Sequence, residues 1–286
     1  MELAIKDISK TYGNKKAALS HVNVEFTPGI YGLLGPNGSG KSTLMNIITD
    51  NIKSDGGQVL YNGRDIHTLK DKYRAVVGYM PQQQVLYDNF TGEEFLWYMA
   101  ALKGIDKKIC KQRISELLQM VNLGAEKDKK IGSYSGGMKQ RILIAQAMLN
   151  DPEILIMDEP TAGLDPSERI RIRNFLSTLS ENKIIIIATH IVSDIEFIAK
   201  EIVLLKSGEI INAGEPKKLL TEISDKVFEI EVGIDEEYKC DGAKIANIRM
   251  GANEKIYRVV QDKCPDGYDY QKAKAGLEEL YLYYFL

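Results

Sequence analysis

Apolar and polar residues alternate over Leu3–Ile8, the period of a strand with one buried face. Gly13–Asn14 marks a turn and Ala18–Phe26 reads as a second strand, so the chain opens on an antiparallel edge layer. The pattern then changes. Gly29–Leu34 is apolar throughout and runs into a glycine-rich loop, after which Thr43–Ile48 reads as a helix. Val59–Tyr61 and Ala75–Tyr79 predict two more short strands. Helical periodicity governs residues 85–150, most clearly at Glu93–Leu102 and Lys108–Val121. Unbroken apolar runs return at Ile154–Met157, Ile184–Ala188 and Ile202–Lys206. Such runs suit strands buried on both faces, as in a parallel sheet flanked by helices. Past Thr221 the pattern changes once more. Val227–Val232, Lys244–Met250 and Ile256–Val260 read as strands and Ala273–Tyr284 as a helix. The expected organisation is an α/β domain over 1–221 with a helical insertion, followed by a small α+β appendix over 222–286.

Composition narrows the class. The 286 residues are 44% hydrophobic and 27% charged, which is ordinary for a globular chain. A net charge of −3 gives no basic field to attract nucleic acid or an anionic membrane. The appendix is the more acidic part, with 14 Asp+Glu against 9 Lys+Arg. The sequence contains no apolar run of about 18 residues, and its N-terminus lacks the apolar core of a signal peptide. Cys110, Cys240 and Cys264 are odd in number and widely spaced. They fit reduced thiols in a cytoplasm and argue against a disulfide framework or a cysteine zinc site.

The loop after the first apolar run carries chemistry. Gly35-Pro36-Asn37-Gly38-Ser39-Gly40-Lys41-Ser42 fits GxxxxGK[ST]. Its glycines let backbone N–H groups approach phosphate oxygens where side chains would collide. The helix that follows adds its positive N-terminal end. Lys41 supplies a cation for the β- and γ-phosphates, and the Ser42 hydroxyl can ligate Mg²⁺.

Two more groups close apolar strands. Ile154–Met157 ends in Asp158-Glu159, and Ile184–Thr189 ends in His190. Ligands of parallel sheets sit beyond the carboxyl ends of the strands, so these groups and the phosphate loop converge on one edge. Asp158 suits a Mg²⁺-linked role through water. Glu159 suits orienting or deprotonating an attacking water, and His190 contacting the γ-phosphate. Without the phosphate loop, Asp158 and Glu159 would read as two acids capping the turn before Pro160. Ser135-Gly136-Gly137 precedes an apolar helix, Ile142–Leu149, and forms a second anion-attracting turn. It either completes the same site or reaches a neighbouring molecule's.

In order and spacing these elements resemble the ATP-binding-cassette (ABC) ATPases over about residues 1–220. The resemblance rests on Tyr12, GPNGSGKS at 35–42, Gln82, YSGGMKQR at 134–141, ILIMDE at 154–159 with AGLD at 162–165, and His190. It implies a P-loop NTPase core of ABC type with an antiparallel β layer and a helical subdomain at about 85–150. It implies ATP and Mg²⁺ as ligands, with Thr43 completing the phosphate loop. Tyr12 resembles the aromatic that stacks on adenine, and Gln82 the glutamine that contacts Mg²⁺ and the attacking water. Ser135, Gly136 and Gly137 resemble the signature loop, which binds ATP held by the opposite subunit. Asp165 resembles the aspartate linking the two sites across a dimer. Tyr134 departs from the family's usual Leu, and Met138 from its common Gln.

Within the family, THIVSDIE at 189–196 and LEELYLYYF at 277–285 resemble bacterial ABC-2-type exporter ATPases. This implies a subunit on the cytoplasmic face of the membrane, coupling ATP hydrolysis to export through a polytopic permease. A second copy, the same or related, would face it. The aromatic stretch at 281–285 reads as packing on its own domain. A soluble ABC ATPase acting on nucleic acid or ribosomes is the rival reading. It lacks support from a second cassette, a long heptad run or a cysteine cluster. A small P-loop kinase would not explain the Ser135-Gly136-Gly137 turn or Asp165. For the appendix, regulation, dimer support and permease contact all stay open.

Overall fold

The computed structural model describes residues 1–13, 17–82, 84–240 and 242–286. Asn14 of the expected Gly13–Asn14 turn therefore lies outside the described residues, as does Gln83 beside Gln82. β1 (Leu3–Thr11) pairs antiparallel with β2 (Ala17–Phe26), with Leu3 opposite Phe26. β3 (Gly29–Leu34) is buried at every position and delivers the chain to the glycine loop and α1 (Lys41–Ile48). β4 (Gly56–Tyr61) returns to the other edge of β1, with β5 (Arg64–Asp65) beyond it. The antiparallel layer thus has the order β2-β1-β4-β5.

Two short helices follow, α2 (Ile66–Leu69) and α3 (Asp71–Val76), before β6 (Val77–Met80). The strand expected at Ala75–Tyr79 therefore starts two residues late, because Ala75 and Val76 close α3. The insertion holds α4 (Gly92–Leu102), α5 (Lys107–Met120) and α6 (Gly136–Ala147). α4 opens on a capping box in which Thr91 and Glu94 each satisfy the other's backbone N–H. α6 starts earlier than its apolar stretch predicts, since Ser135 caps it ahead of Gly136.

β7 (Ile154–Asp158), α7 (Pro166–Leu179), β8 (Ile184–Ala188), β9 (Glu201–Lys206) and β10 (Glu209–Gly214) complete the core. The central sheet has the order β10-β9-β3-β8-β7-β6. It is parallel except for β10, an edge strand that the sequence pattern did not reveal. Its unbroken apolar runs split between two hydrophobic clusters. Tyr31, Leu33, Ile154, Ile156, Ile184 and Ile186 join α1 and the antiparallel layer. Ile30, Leu34, Leu155, Met157, Ile185 and Ile187 join the helical side. Period-2 geometry sends neighbours to opposite faces, and both faces are covered.

After α8 (Pro216–Thr221) comes a third sheet of β11 (Val227–Gly233), β12 (Lys244–Met250), β13 (Glu254–Val260) and β14 (Asp269–Lys272). Its order is β12-β13-β11-β14 and all its pairings are antiparallel. α9 (Leu277–Phe285) ends the chain. The helix expected from Ala273 begins four residues later, because the Ala273 N–H donates to Val227 O at 2.9 Å as an extension of the sheet. Leu277, Leu280 and Phe285 join the helical-side cluster together with Leu219 and Ile223. The aromatic end therefore packs within its own chain. The Tyr284 hydroxyl donates to Glu222 at 2.7 Å, and Lys206 Nζ donates to Tyr284 O at 2.6 Å.

Candidate functional site: a phosphate loop beside two strand-end acids

β3 brings the chain to Gly35 against β9. A Cβ at Gly35 would lie 2.2 Å from Leu205 O. Gly40 has φ 109° and a Cβ there would lie 2.5 Å from Ala18 O. Only glycine satisfies both the backbone angle and the space. Ser39 is 2% exposed, and its buried Oγ has no hydrogen-bond partner among the described residues. Such an atom is costly unless something supplies a partner. Lys41 Nζ donates to Gly35 O at 2.6 Å and Pro36 O at 3.1 Å, so its ammonium lies over its own loop. Burial lowers the Lys41 pKa, and the nearby Glu159 and Asp158 charges oppose that shift.

β7 ends on Asp158, and the Ser42 hydroxyl donates to its Oδ2 at 3.4 Å. Burial and the neighbouring Glu159 hold the Asp158 carboxyl above its ordinary range, against the pull of Ser42 and Lys41. Burial and the Asp158 charge push the Tyr79 hydroxyl up to about 12. Glu159 leaves the strand in the left-handed region, at φ 53°. Its N–H donates to Ala188 O at 2.8 Å, which ties it to the end of β8. There its carboxylate accepts from the Thr189 hydroxyl at 3.1 Å and the His190 N–H at 3.0 Å. His190 Nδ1 lies 2.7 Å from the same carboxylate. With Nδ1 engaged, Nε2 is the ring nitrogen left for a ligand.

A cleft of about 310 Å³ joins these groups. Tyr12, Asn37, Gly38, Ser39, Gly40, Lys41, Ser42, Thr43, Gln82, Asp158 and Glu159 line it, with Ala18, which the motif reading did not single out. Gly35 and Pro36 sit beneath as acceptors for Lys41, and His190 joins through Glu159. Tyr12 follows the end of β1 and is 50% exposed at the rim. Thr189, fully buried, opens the THIVSDIE stretch but was given no role, because its partner Glu159 lies thirty residues away.

Ser135, Gly136, Gly137 and Asp165 do not line the cleft. Within this chain Ser135 accepts from Met138 N at 3.2 Å and Asp165 from Glu168 N at 2.9 Å, each capping a helix. The Glu168 N–H and the Ser167 hydroxyl hold the Asp165 carboxyl below its ordinary range. α6 still touches the site, since Gln140 Nε2 donates to Glu159 O at 2.8 Å. A larger hollow of about 850 Å³ lies between α3 and the insertion, lined by Arg74, Leu102, Lys103, Ile109 and Arg113 among others. Neither the 35–42 loop nor Asp158 and Glu159 line it, so size alone does not mark the candidate site.

The cleft therefore joins a glycine loop, a cation, oxygen donors and a carboxylate–imidazole pair. The ABC transporter family profile matches residues 19–162, which span the phosphate loop and the acidic pair. The chain belongs to the ABC transporter family. It is an ATP-binding cassette, and the activity of the family is ATP hydrolysis. The cassette is 35% identical over 240 residues to the linearmycin resistance ATP-binding protein LnrL of Bacillus subtilis (strain 168). That match covers 82% of this chain and 77% of LnrL. It is 36% identical over 230 residues to the Nod factor export ATP-binding protein I of Rhizobium etli, covering 79% of this chain and 72% of that one. Among solved structures it resembles the dimeric post-hydrolysis cassette MJ0796 bound to ADP and Pi, with TM-score 0.67 and 29% identity. That likeness covers 74% of this chain and 98% of MJ0796.

Proposed function

We propose that the cassette hydrolyses ATP–Mg²⁺ in this cleft and couples the cycle to export through a separate membrane subunit. The observation that carries the chemistry is the junction of phosphate loop, Asp158, Glu159 and His190 at one sheet edge. ATP would lay its adenine on Tyr12 and its phosphates on the 35–43 loop. Ser42, Gln82 and Asp158 offer only oxygen donors, which suits a hard cation. They would hold Mg²⁺, which when bound neutralises charge on the β- and γ-phosphates. Lys41 holds the γ-phosphate. Glu159 accepts a proton from water as the water oxygen attacks the γ-phosphorus. The bond to the β–γ bridging oxygen breaks, and ADP and phosphate leave. His190 steadies the γ-phosphate through Nε2, so the protein contributes position and charge rather than covalent steps.

Ser135, Gly136 and Gly137 would complete the site of a facing cassette, with Asp165 at the junction. ATP then holds two copies together, and hydrolysis releases them. Residues 1–221 would form this cassette and 222–286 its accessory domain. Among the described residues no helix is long and apolar enough to cross a membrane. Attachment at the cytoplasmic face would come through a polytopic permease. Exposed Leu102 and Ile109 at the large hollow offer an apolar surface for a partner. The export role is supported by the named relatives that serve resistance and Nod factor export.

The test is capture of the Glu159→Gln variant with ATP–Mg²⁺ from detergent-solubilised host membranes. The expected result is a dimer that binds but barely hydrolyses ATP, together with a stoichiometric polytopic membrane protein. Recovery of ribosomes or nucleic acid without a membrane partner would overturn the export role. Full turnover by the variant would overturn the assignment of Glu159.

A further inference from the structure

Thr161 and Asp194 form a buried polar pair that the reading above leaves unused. Thr161 is 2% exposed and Asp194 4%. The Thr161 hydroxyl donates to Asp194 Oδ2. A buried carboxylate is costly unless it is hydrogen-bonded, so this contact resists separation of the two loops that carry it. Thr161 follows Glu159 by two residues, and Asp194 follows His190 by four.

Each loop is otherwise firmly seated. The Ala162 N–H donates back to Glu159 O at 3.2 Å. The 3₁₀ turn Val192–Asp194 accepts from Arg173 Nη1 at Ser193 O, at 2.9 Å, which ties it to α7. Ile195, fully buried, fills the space over Gly32, where a Cβ would lie 2.3 Å from Ile195 Cδ1. α9 rests against the same turn. The direct Glu159–His190 contact is half-buried, the His190 side chain being 65% exposed and the Glu159 side chain 8%. Water reaches the imidazole side of that contact but not the Thr161–Asp194 bond, which adds a second water-excluded tether beyond the strand-end bonds from Thr189 and the His190 N–H to Glu159.

We propose that the Thr161–Asp194 hydrogen bond locks the loop bearing Glu159 to the loop bearing His190, making both partners positioning residues for attack on the γ-phosphate. This rests on the roles given to Glu159 and His190 above. A lock of this kind keeps the water-directing carboxylate and the γ-phosphate contact in one fixed geometry. Losing it leaves the strand-end bonds of Glu159 to hold that geometry alone, so it loosens while the phosphate loop is untouched and nucleotide still binds.

The experiment compares Thr161→Val with Thr161→Ser in the full chain. It reads hydrolysis per bound nucleotide, with stoichiometry from titration calorimetry, and the ratio of ATP to ADP affinity. Both quantities are independent of any unfolded fraction. Thr161→Val is expected to lose about tenfold to a hundredfold in rate per site. Its preference for ATP over ADP should narrow severalfold with ADP affinity unchanged. Thr161→Ser keeps the hydroxyl and should stay near wild type. Asp194→Asn still offers an acceptor and should resemble Thr161→Ser, whereas Asp194→Ala should resemble Thr161→Val. Equal losses in Thr161→Ser and Thr161→Val would assign the effect to packing and overturn the lock. Wild-type behaviour of Thr161→Val beside an inactive Glu159→Gln would overturn the lock alone. A fully active Glu159→Gln would remove the reading beneath it.

Discussion

Lys103 shows how burial sets the chemistry of a single side chain. Its Nζ donates to Asn150 Oδ1 at 2.9 Å, and burial lowers its pKa from 10.5 to about 8. The folded chain therefore sheds this proton at lower pH than the unfolded chain. Below about 8 the buried charge opposes folding in full. As pH rises from there towards 10.5, the unfolded chain holds a proton that the folded chain lacks, and stability rises. Lys103→Met should raise Tm by about 2 °C at neutral pH. The advantage should shrink as pH climbs past 8 and vanish near 10.5, read by calorimetric melts across that range. An advantage constant with pH would refute the assignment. At this scale Lys41, Asp158, Glu159 and His190 were legible, because each sits at a fixed offset from an apolar run. Thr161, Thr189 and Asp194 were not. Thr189 and Asp194 lie inside the THIVSDIE stretch, but the hydrogen bonds of all three run to partners about thirty residues away, which the stretch does not name.

The first turn of α4 and the approach to α6 meet at Gly92 and Tyr134. Tyr134 is 5% exposed, and its hydroxyl donates to Glu126 O at 2.8 Å. A Cβ at Gly92 would lie 2.3 Å from that hydroxyl oxygen. The aromatic residue that departs from the family's usual Leu is thus accommodated by a missing side chain on a neighbouring helix. Helix propensity alone predicts that Gly92→Ala stabilises the chain. Overpacking predicts the opposite, a loss of about 1–3 kcal/mol, and the contact decides for overpacking. Gly92→Ala should therefore lower the urea midpoint. In a Tyr134→Leu background most of that loss should disappear, giving a coupling of at least about 0.5 kcal/mol. Additive effects would refute the contact. Element types were legible from period, as with the helix read at Glu93–Leu102, which is α4. The ends of α3 and α9 and the edge strands β10 and β14 were not. Each is decided by which neighbour takes its backbone hydrogen bonds, as Val227 takes that of Ala273.

Across the whole molecule, the appendix and the cassette share one hydrophobic cluster. Leu280 is fully buried in it, beside Leu219 and Ile223 and continuous with the helical side of the central sheet. Leu280→Ala should cost about 2–5 kcal/mol and lower a single unfolding transition rather than split it. Two separated transitions in calorimetry would show that the appendix folds independently of the cassette. By itself, the sequence picked out the candidate groups that short spacings bring together. It identified a phosphate loop of eight consecutive residues, an acidic pair after a buried strand, and strands and helices where periodicity is strong. Only the tertiary structure decided which distant residues meet. It brought Glu159 to Thr189 and His190, Thr161 to Asp194, Tyr134 to Gly92, and α9 to the cassette's core. The reason is physical. A motif is written in covalent order, whereas a long-range contact is chosen by the packing of every surface around it, and many sequences pack equally well on paper.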